Sequence, residues 1–180
     1  MTGTSDRRRT IYAPPWRIDV TNRKGVRAPI SATAIARTVV KSLEAANAPA
    51  PGSVTIVLTD DAELEELNVA HMGHQGPTDV LSFPMLEPDA FRGAPRAPHR
   101  SPGLLLRGRR THVGDIAISV ERALEQAVEG RGGHTGDIRW SPADELRLLV
   151  THGTLHLCGW DHAEPSEEAA MRELERRLLG

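Results

Sequence analysis

Three histidines, His152, His156 and His162, have the spacing of ligands to one metal ion. Residues four apart on an α-helix lie on one face, roughly 5.4 Å from each other, so His152 and His156 can reach the same ion. Gly159 can end that helix in a left-handed conformation and turn the chain so that His162 joins them. Three imidazoles leave a fourth tetrahedral position open, as in catalytic zinc sites. The sequence therefore predicts one Zn²⁺ ion here. The alternative, helix-surface or core histidines without metal, is disfavoured by the glycine between them.

The residue after the first histidine distinguishes this pattern from that of the metzincin peptidases. Those enzymes share the spacing of the three histidines and the glycine, but they carry a glutamate directly after the first histidine. That glutamate takes a proton from metal-bound water, whereas the corresponding position here is Gly153. The sequence therefore predicts a metal site that lacks the general base of a peptidase.

Three segments in a fixed order carry a more specific pattern. Residues 152–162 read His-Gly-Thr-Leu-His-Leu-Cys-Gly-Trp-Asp-His, and Asn68 is followed by Pro-Thr-Asp-Val-Leu-Ser-Phe-Pro at residues 77–84. Residues 114–119 then read Gly-Asp-Ile-Ala-Ile-Ser. Together these segments resemble the signature of the YbeY family, which are bacterial zinc-dependent endoribonucleases of ribosomal RNA maturation. The resemblance extends over roughly residues 53 to 179.

This resemblance implies a function, partners and a cellular location. It implies a single-strand-specific, metal-dependent endoribonuclease that acts in ribosomal RNA maturation and ribosome quality control. The implied partners are ribosomal RNA and the small ribosomal subunit, with ribosome-assembly proteins as further candidates, and the implied location is the cytoplasm. Two alternatives stay open: a zinc hydrolase of another substrate, such as a peptide, and a catalytically weak ribosome-assembly factor.

One position departs from the family pattern. Between the asparagine and the Pro-Thr-Asp segment the family usually carries an arginine implicated in ribonuclease activity, and Met72 occupies that position here. A guanidinium can hold a phosphate with two hydrogen bonds, and a thioether cannot. Three explanations stay open: another cation substitutes, the activity is weak, or the substrate differs. The candidate substitutes are His71 and His74, when protonated, and the arginines Arg107, Arg109 and Arg110.

Three aspartates are the candidate catalytic carboxylates, because Gly153 cannot accept a proton. Asp161 directly precedes a predicted metal ligand, where it can act as a base or orient an imidazole by hydrogen bonding, the role that we favour. Asp79 and Asp115 lie in the two other family segments, and both can instead be strand-end or turn residues that accept backbone hydrogen bonds. Hydroxide on the metal is the remaining candidate base.

The composition predicts one compact domain. The chain has 180 residues, of which 39% are hydrophobic and 26% charged, enough for one sizeable core. Its net charge of −2 neither requires nor excludes an RNA partner. Cys158 is the only cysteine, which excludes an internal disulfide and indicates a reducing compartment. No stretch approaches the roughly 18 apolar residues of a membrane span, so no membrane partner is expected.

Three regions differ in composition. Residues 1–12, which include Arg7-Arg8-Arg9, are predicted to form a disordered basic tail, and residues 13–180 a single metallohydrolase domain. Within this domain, residues 88–111 are rich in proline and arginine and predict a loop without regular structure. Two interpretations of the loop stay open: a mobile basic segment that contacts RNA near the site, and a solvated insertion without function.

Periodicity and capping residues predict an α+β fold, a small mixed β-sheet packed with helices that include a zincin-like metal helix. The predicted strands cover residues 17–21, 53–59, 78–83 and 112–119. Predicted helices follow the N-cap residues Ser31, Asp60 and Ser141, and two more cover residues 120–129 and 166–179.

Overall fold

The computed structural model describes residues 5–73, 76, 78–91, 110–129 and 141–180. The strands are β1 (Arg7–Ala13), β2 (Trp16–Asn22), β3 (Gly52–Thr59), β4 (Val80–Pro84) and β5 (Thr111–Ser119). The helices are α1 (Ala32–Ala45), α2 (Asp61–Met72), α3 (Val120–Glu129), α4 (Pro142–Leu157) and α5 (Pro165–Leu179), with a 3₁₀ turn at Pro88–Ala90. No helix in the described part of the chain has the length and apolar composition that a membrane span requires.

The strands form one mixed sheet in the order β1-β2-β3-β5-β4. The central pairs β2–β3 and β3–β5 are parallel, whereas the edge pairs β1–β2 and β4–β5 are antiparallel. Parallel neighbours need crossover connections, and α1 provides the one between β2 and β3. The predicted α+β class with a small mixed sheet is confirmed.

Two hydrophobic clusters lie on opposite faces of this sheet. The larger one joins residues of β2, β3 and β5 to α1, α3, α4 and α5. The smaller one brings Leu64 of α2 against Leu81 and Ala117. Because Ile116 lies against α4, the next residue of the strand, Ala117, faces the other side. The metal helix predicted from the sequence, α4, is therefore in the larger core, with Leu146, Val150 and Leu155 fully buried.

Local capping sets the helix starts where the sequence predicts them. The Ser31 hydroxyl accepts a hydrogen bond from the Ala34 N–H at 3.2 Å, and Ser141 forms a complete capping box with Asp144. The Asp60 carboxylate accepts from the Glu63 N–H at 2.9 Å. The Glu63 side chain does not return this bond to the N-cap and instead binds Arg23, at 2.6 Å.

The prediction of a disordered tail over residues 1–12 is wrong for residues 7–12. These residues belong to β1, which pairs with β2 from Arg7 opposite Asn22 to Ala13 opposite Trp16. Ile11 packs against the core, and Arg8 lies 3.3 Å from the buried carboxylate of Asp19. The basic residues of β1 fit an edge strand, because charge on an edge discourages pairing with another chain. Residues 1–4 of the predicted tail lie outside the described residues.

The predicted loop over residues 88–111 is structured at both ends. Pro88–Ala90 forms the 3₁₀ turn, and Phe91 after it is fully buried. At the other end, the Arg110 guanidinium donates to the carbonyls of Pro15 and Gly52, at 3.1 and 3.2 Å. Residues 92–109 of this prediction lie outside the described residues.

Candidate metal centre

Three imidazoles converge where α4 ends. His152 and His156 lie on α4, one turn apart, and His162 follows in the segment before α5. One ring nitrogen of each residue lies within 4.8 Å of the other two, and the Nε2 atoms of His152 and His156 are 3.0 Å apart. The structure therefore brings the three predicted ligands together, with nitrogen atoms close enough to share one ion.

The turn that places His162 is a Schellman motif around Gly159. The Trp160 N–H donates to the Leu155 carbonyl at 3.1 Å, and the Gly159 N–H donates to the His156 carbonyl at 3.1 Å. Gly159 has a φ of +80°, a left-handed conformation that side chains with a Cβ rarely adopt. The role predicted for this glycine in ending the helix is confirmed.

A buried glutamate fixes the orientation of His152. The Glu175 carboxylate lies 2.7 Å from the Nδ1 atom of His152, and Glu175 is 4% exposed. A carboxylate only accepts, so Nδ1 carries the proton and Nε2 keeps its lone pair for a metal ion. This arrangement fits a metal ligand, because ligating histidines generally donate their other ring N–H to such a partner.

Sequence reasoning missed Glu175, although a signal was present. Met171, Leu174 and Leu178 form an apolar stripe along the last helix, and all three are buried. Glu175 lies on the same face, one residue after Leu174 and four after Met171. An acidic residue within an apolar stripe indicates a buried partner, which here is His152.

Burial also sets the protonation state of the second histidine. Desolvation, together with the smaller effects of the neighbouring His152 and His162, lowers the pKa of His156 to about 4. The imidazole is therefore neutral at pH 7, which is the form that binds a metal ion.

Gly153 lets α4 approach the sheet closely. A Cβ at this position would lie 2.9 Å from Cγ2 of Ile116 and 3.1 Å from Cγ2 of Val80. The Ser82 hydroxyl donates to the Gly153 carbonyl at 3.0 Å, which ties the helix to β4. A glutamate after the first histidine, as in the metzincin pattern, would have no room in this packing.

Two cavities border the three histidines. The larger one, of about 610 Å³, is lined by the three histidines, by most residues of β4, and by Met72, Trp160 and Asp161. A smaller cavity, of about 280 Å³, shares His152, His162 and Asp79 with it. Its remaining lining comes from α5: Glu168, Met171, Arg172 and Glu175. The site is thus accessible from a cleft wide enough for a ligand.

The structure brings two of the three predicted catalytic aspartates to this site. Asp79 lines both cavities, and its Oδ2 accepts a hydrogen bond from the Gln126 amide at 3.0 Å. Asp161 lines the larger cavity, and its Oδ1 accepts from the backbone N–H of His162 at 2.8 Å. Asp161 therefore holds the segment that carries the third histidine.

Asp115 is not brought to the histidines. Its neighbours along β5, Gly114 and Ile116, contact α4, so the Asp115 side chain faces the other side of the sheet. There its Oδ1 lies 2.9 Å from Nε2 of His112, and it lines neither cavity. The Asp115 carboxylate is therefore paired with His112 and does not face the three histidines of the site.

A second buried acid, Glu145, lies close enough to Asp79 to be affected by its charge, and sequence reasoning missed it as well. Glu145, in the first turn of α4, is 2% exposed. Burial, and to a smaller extent the negative charge of Asp79, raises the pKa of Glu145 to about 7. A carboxyl group with this pKa is partly protonated at neutral pH, which limits the negative charge beside Asp79.

The position at which the family usually carries an arginine lines the larger cavity. Met72, in the last turn of α2, lines that cavity and is 42% exposed. Among the candidate substitutes, Arg110 binds backbone carbonyls elsewhere and His71 packs edge-on against the ring of Phe83. Neither lines a cavity at the histidines. His74, Arg107 and Arg109 lie outside the described residues.

Three imidazoles beside an open cleft, two of them on a buried helix, are typical of metal-dependent hydrolases. Comparison with known proteins gives the family. The family model described as Endoribonuclease YbeY matches residues 19–180, and the chain belongs to the YbeY family.

Similar curated proteins cover most of the chain. An Endoribonuclease YbeY of Thermobifida fusca is 40% identical over 90% of this chain and 91% of its own length. One of Roseiflexus castenholzii is 38% identical over 84% of this chain and 83% of its own. One of Salinispora tropica is 39% identical over 90% of this chain and 93% of its own.

Proposed function

We propose that this chain is a zinc-dependent endoribonuclease that cleaves single-stranded ribosomal RNA in the cytoplasm, during ribosomal RNA maturation and ribosome quality control. Its proposed partner is the small ribosomal subunit. The observation that carries the proposal is the convergence of His152, His156 and His162 beside an open cleft, in a chain whose relatives are named endoribonucleases. Three imidazoles with an open fourth position are the donor set of catalytic zinc.

The ion would activate water and polarise a phosphoryl oxygen of the RNA. The residues of the chain hold the site in place for this chemistry. Glu175 fixes the ring of His152, and Asp161 fixes the backbone at His162. Asp79 faces both cavities, so we assign to it the role of accepting a proton from the attacking water.

The packing around Gly153 argues against a peptidase of the metzincin type. The space that a peptidase-type glutamate would need is filled by Ile116 and Val80. Met72 favours a second candidate, a catalytically weak assembly factor, because none of the described residues that line the larger cavity is an arginine. The two candidates can be distinguished, because an endoribonuclease would cleave RNA measurably and a catalytically weak assembly factor would not.

The test compares substrates at fixed salt concentration and with the metal content measured. We expect the metal-loaded chain to cleave a single-stranded ribosomal RNA fragment, to spare the same fragment annealed to its complement, and to spare an unstructured peptide. The control is the variant His156→Ala, which should cleave none of them. Metal-dependent cleavage of the peptide would replace the proposal by the hydrolase alternative, and absence of any cleavage would replace it by the assembly factor.

A further inference from the structure

We infer that Arg172 binds the RNA phosphate backbone beside the three histidines. The inference rests on the proposed function, because it assigns a residue to the binding of the same substrate. Three properties of Arg172 support it: its position, the charge of its surroundings, and the weakness of its present ion pair.

The position of Arg172 follows from the helix that carries it. Arg172 lies three residues before Glu175 on α5, so both side chains lie on one face of the helix. Glu175 is hydrogen bonded to His152, which fixes this face against the site. Arg172 consequently lines the smaller cavity together with Asp79, His152 and His162.

The side chains around the histidines are mostly acidic, and their negative charge would repel an approaching phosphate. Four carboxylates belong to the linings of the two cavities: Asp79, Asp161, Glu168 and Glu175. Of the described residues in these linings, Arg172 is the only lysine or arginine. A phosphodiester brings a further negative charge, so a fixed positive group is needed to offset the repulsion.

The guanidinium of Arg172 is available for such a contact. Its Nη2 atom pairs with Glu168, and the two side chains are 40% and 42% exposed, so solvent screens their attraction. Its Nε atom is buried, so the terminal Nη atoms are the part of the guanidinium that can meet a phosphate. A guanidinium has five N–H donors in a planar fork that matches two oxygens of a phosphate, so Arg172 can bind phosphate while it keeps or exchanges the contact with Glu168.

The test measures binding of a single-stranded 2′-O-methyl oligonucleotide to the metal-loaded protein by fluorescence anisotropy, over a series of salt concentrations. We expect Arg172→Met to raise the Kd about tenfold, because a hydrogen-bonded charge pair is lost. The slope of log Kd against log salt concentration should fall by about 0.7, the loss of one phosphate contact to a single strand. The matched control is Arg176→Met, which removes an exposed arginine of the same helix, paired with Glu173 at 2.8 Å.

A second variant guards against a folding defect. Arg172→Lys keeps the charge and loses the fork, so it should bind more weakly than the unmodified chain at an unchanged salt slope. If Arg172→Met and Arg172→Lys both bind and cleave as Arg176→Met does, the assignment of Arg172 is overturned and the proposed function stands. If the unmodified, metal-loaded chain neither binds nor cleaves RNA, the proposed function fails and the assignment of Arg172 fails with it.

Discussion

The imidazole of His152 is constrained at both of its nitrogens. Nδ1 lies 2.7 Å from the Glu175 carboxylate, and Nε2 lies 3.0 Å from Nε2 of His156. The first contact sets the tautomer, and the second marks the point that a metal ion would share. The ring is therefore oriented by the fold before any ion binds, which lowers the entropic cost of binding.

The contact with Glu175 can be tested by removing its charge. Glu175→Gln should weaken metal binding by about 10- to 100-fold, because the amide no longer favours the Nδ1–H tautomer as strongly. Competition with a chelator measures the change. The control is Glu173→Gln on the same helix, whose side chain is 65% exposed and which should bind metal as the unmodified chain does. Equal metal affinity in both variants would show that Glu175 does not tune the site.

Sequence alone predicts the residues of this site that are close together along the chain. The three histidines and Gly159 lie within one short segment, so helix geometry and one glycine specify their arrangement. Glu175 reaches His152 only through the packing of α5 on α4, which no local pattern specifies. Sequence alone leaves the role of Asp115 open for a similar reason, since the face it occupies depends on which side of the sheet α4 covers.

At the scale of elements, helices were predicted better than strands. The starts of α1 and α4 depend on capping residues next to them in the sequence, so local chemistry defines them. The strand β1 depends on pairing with β2 and on contact of Ile11 with the core. Strand formation depends strongly on such context, whereas three consecutive arginines by themselves are typical of a solvated tail.

The contribution of β1 to stability can be measured directly. Removal of residues 1–13 should lower the free energy of unfolding by at least about 2 kcal/mol, because burial of Ile11 is lost along with the strand pairing. It also removes Arg8 and Thr10, two partners of the buried Asp19. Urea denaturation compares this truncation with one that removes only residues 1–4. Equal stability of the two would contradict the role of β1 in the fold.

At the scale of the whole molecule, the site forms where several distant segments meet. The α4 helix, buried against the sheet, carries two of the histidines, and the turn after it carries the third. The segment before β4 contributes Asp79, α2 contributes Met72, and α5 contributes Arg172 and Glu175. The fold class and the convergence of the three histidines are thus predictable from sequence. The cleft is not, because it is a product of packing between segments far apart in the chain.

A metal titration of ribonuclease activity measures whether RNA cleavage requires one ion at the three histidines. Protein stripped of metal is titrated with Zn²⁺, and cleavage of a single-stranded ribosomal RNA fragment is followed together with bound metal. We predict that activity rises in proportion to bound zinc and reaches a plateau at about one equivalent per chain, and that His156→Ala neither retains the ion nor cleaves the RNA. Full activity of the metal-free protein, or unchanged zinc content and cleavage in His156→Ala, would show that cleavage does not depend on a zinc ion held by these histidines.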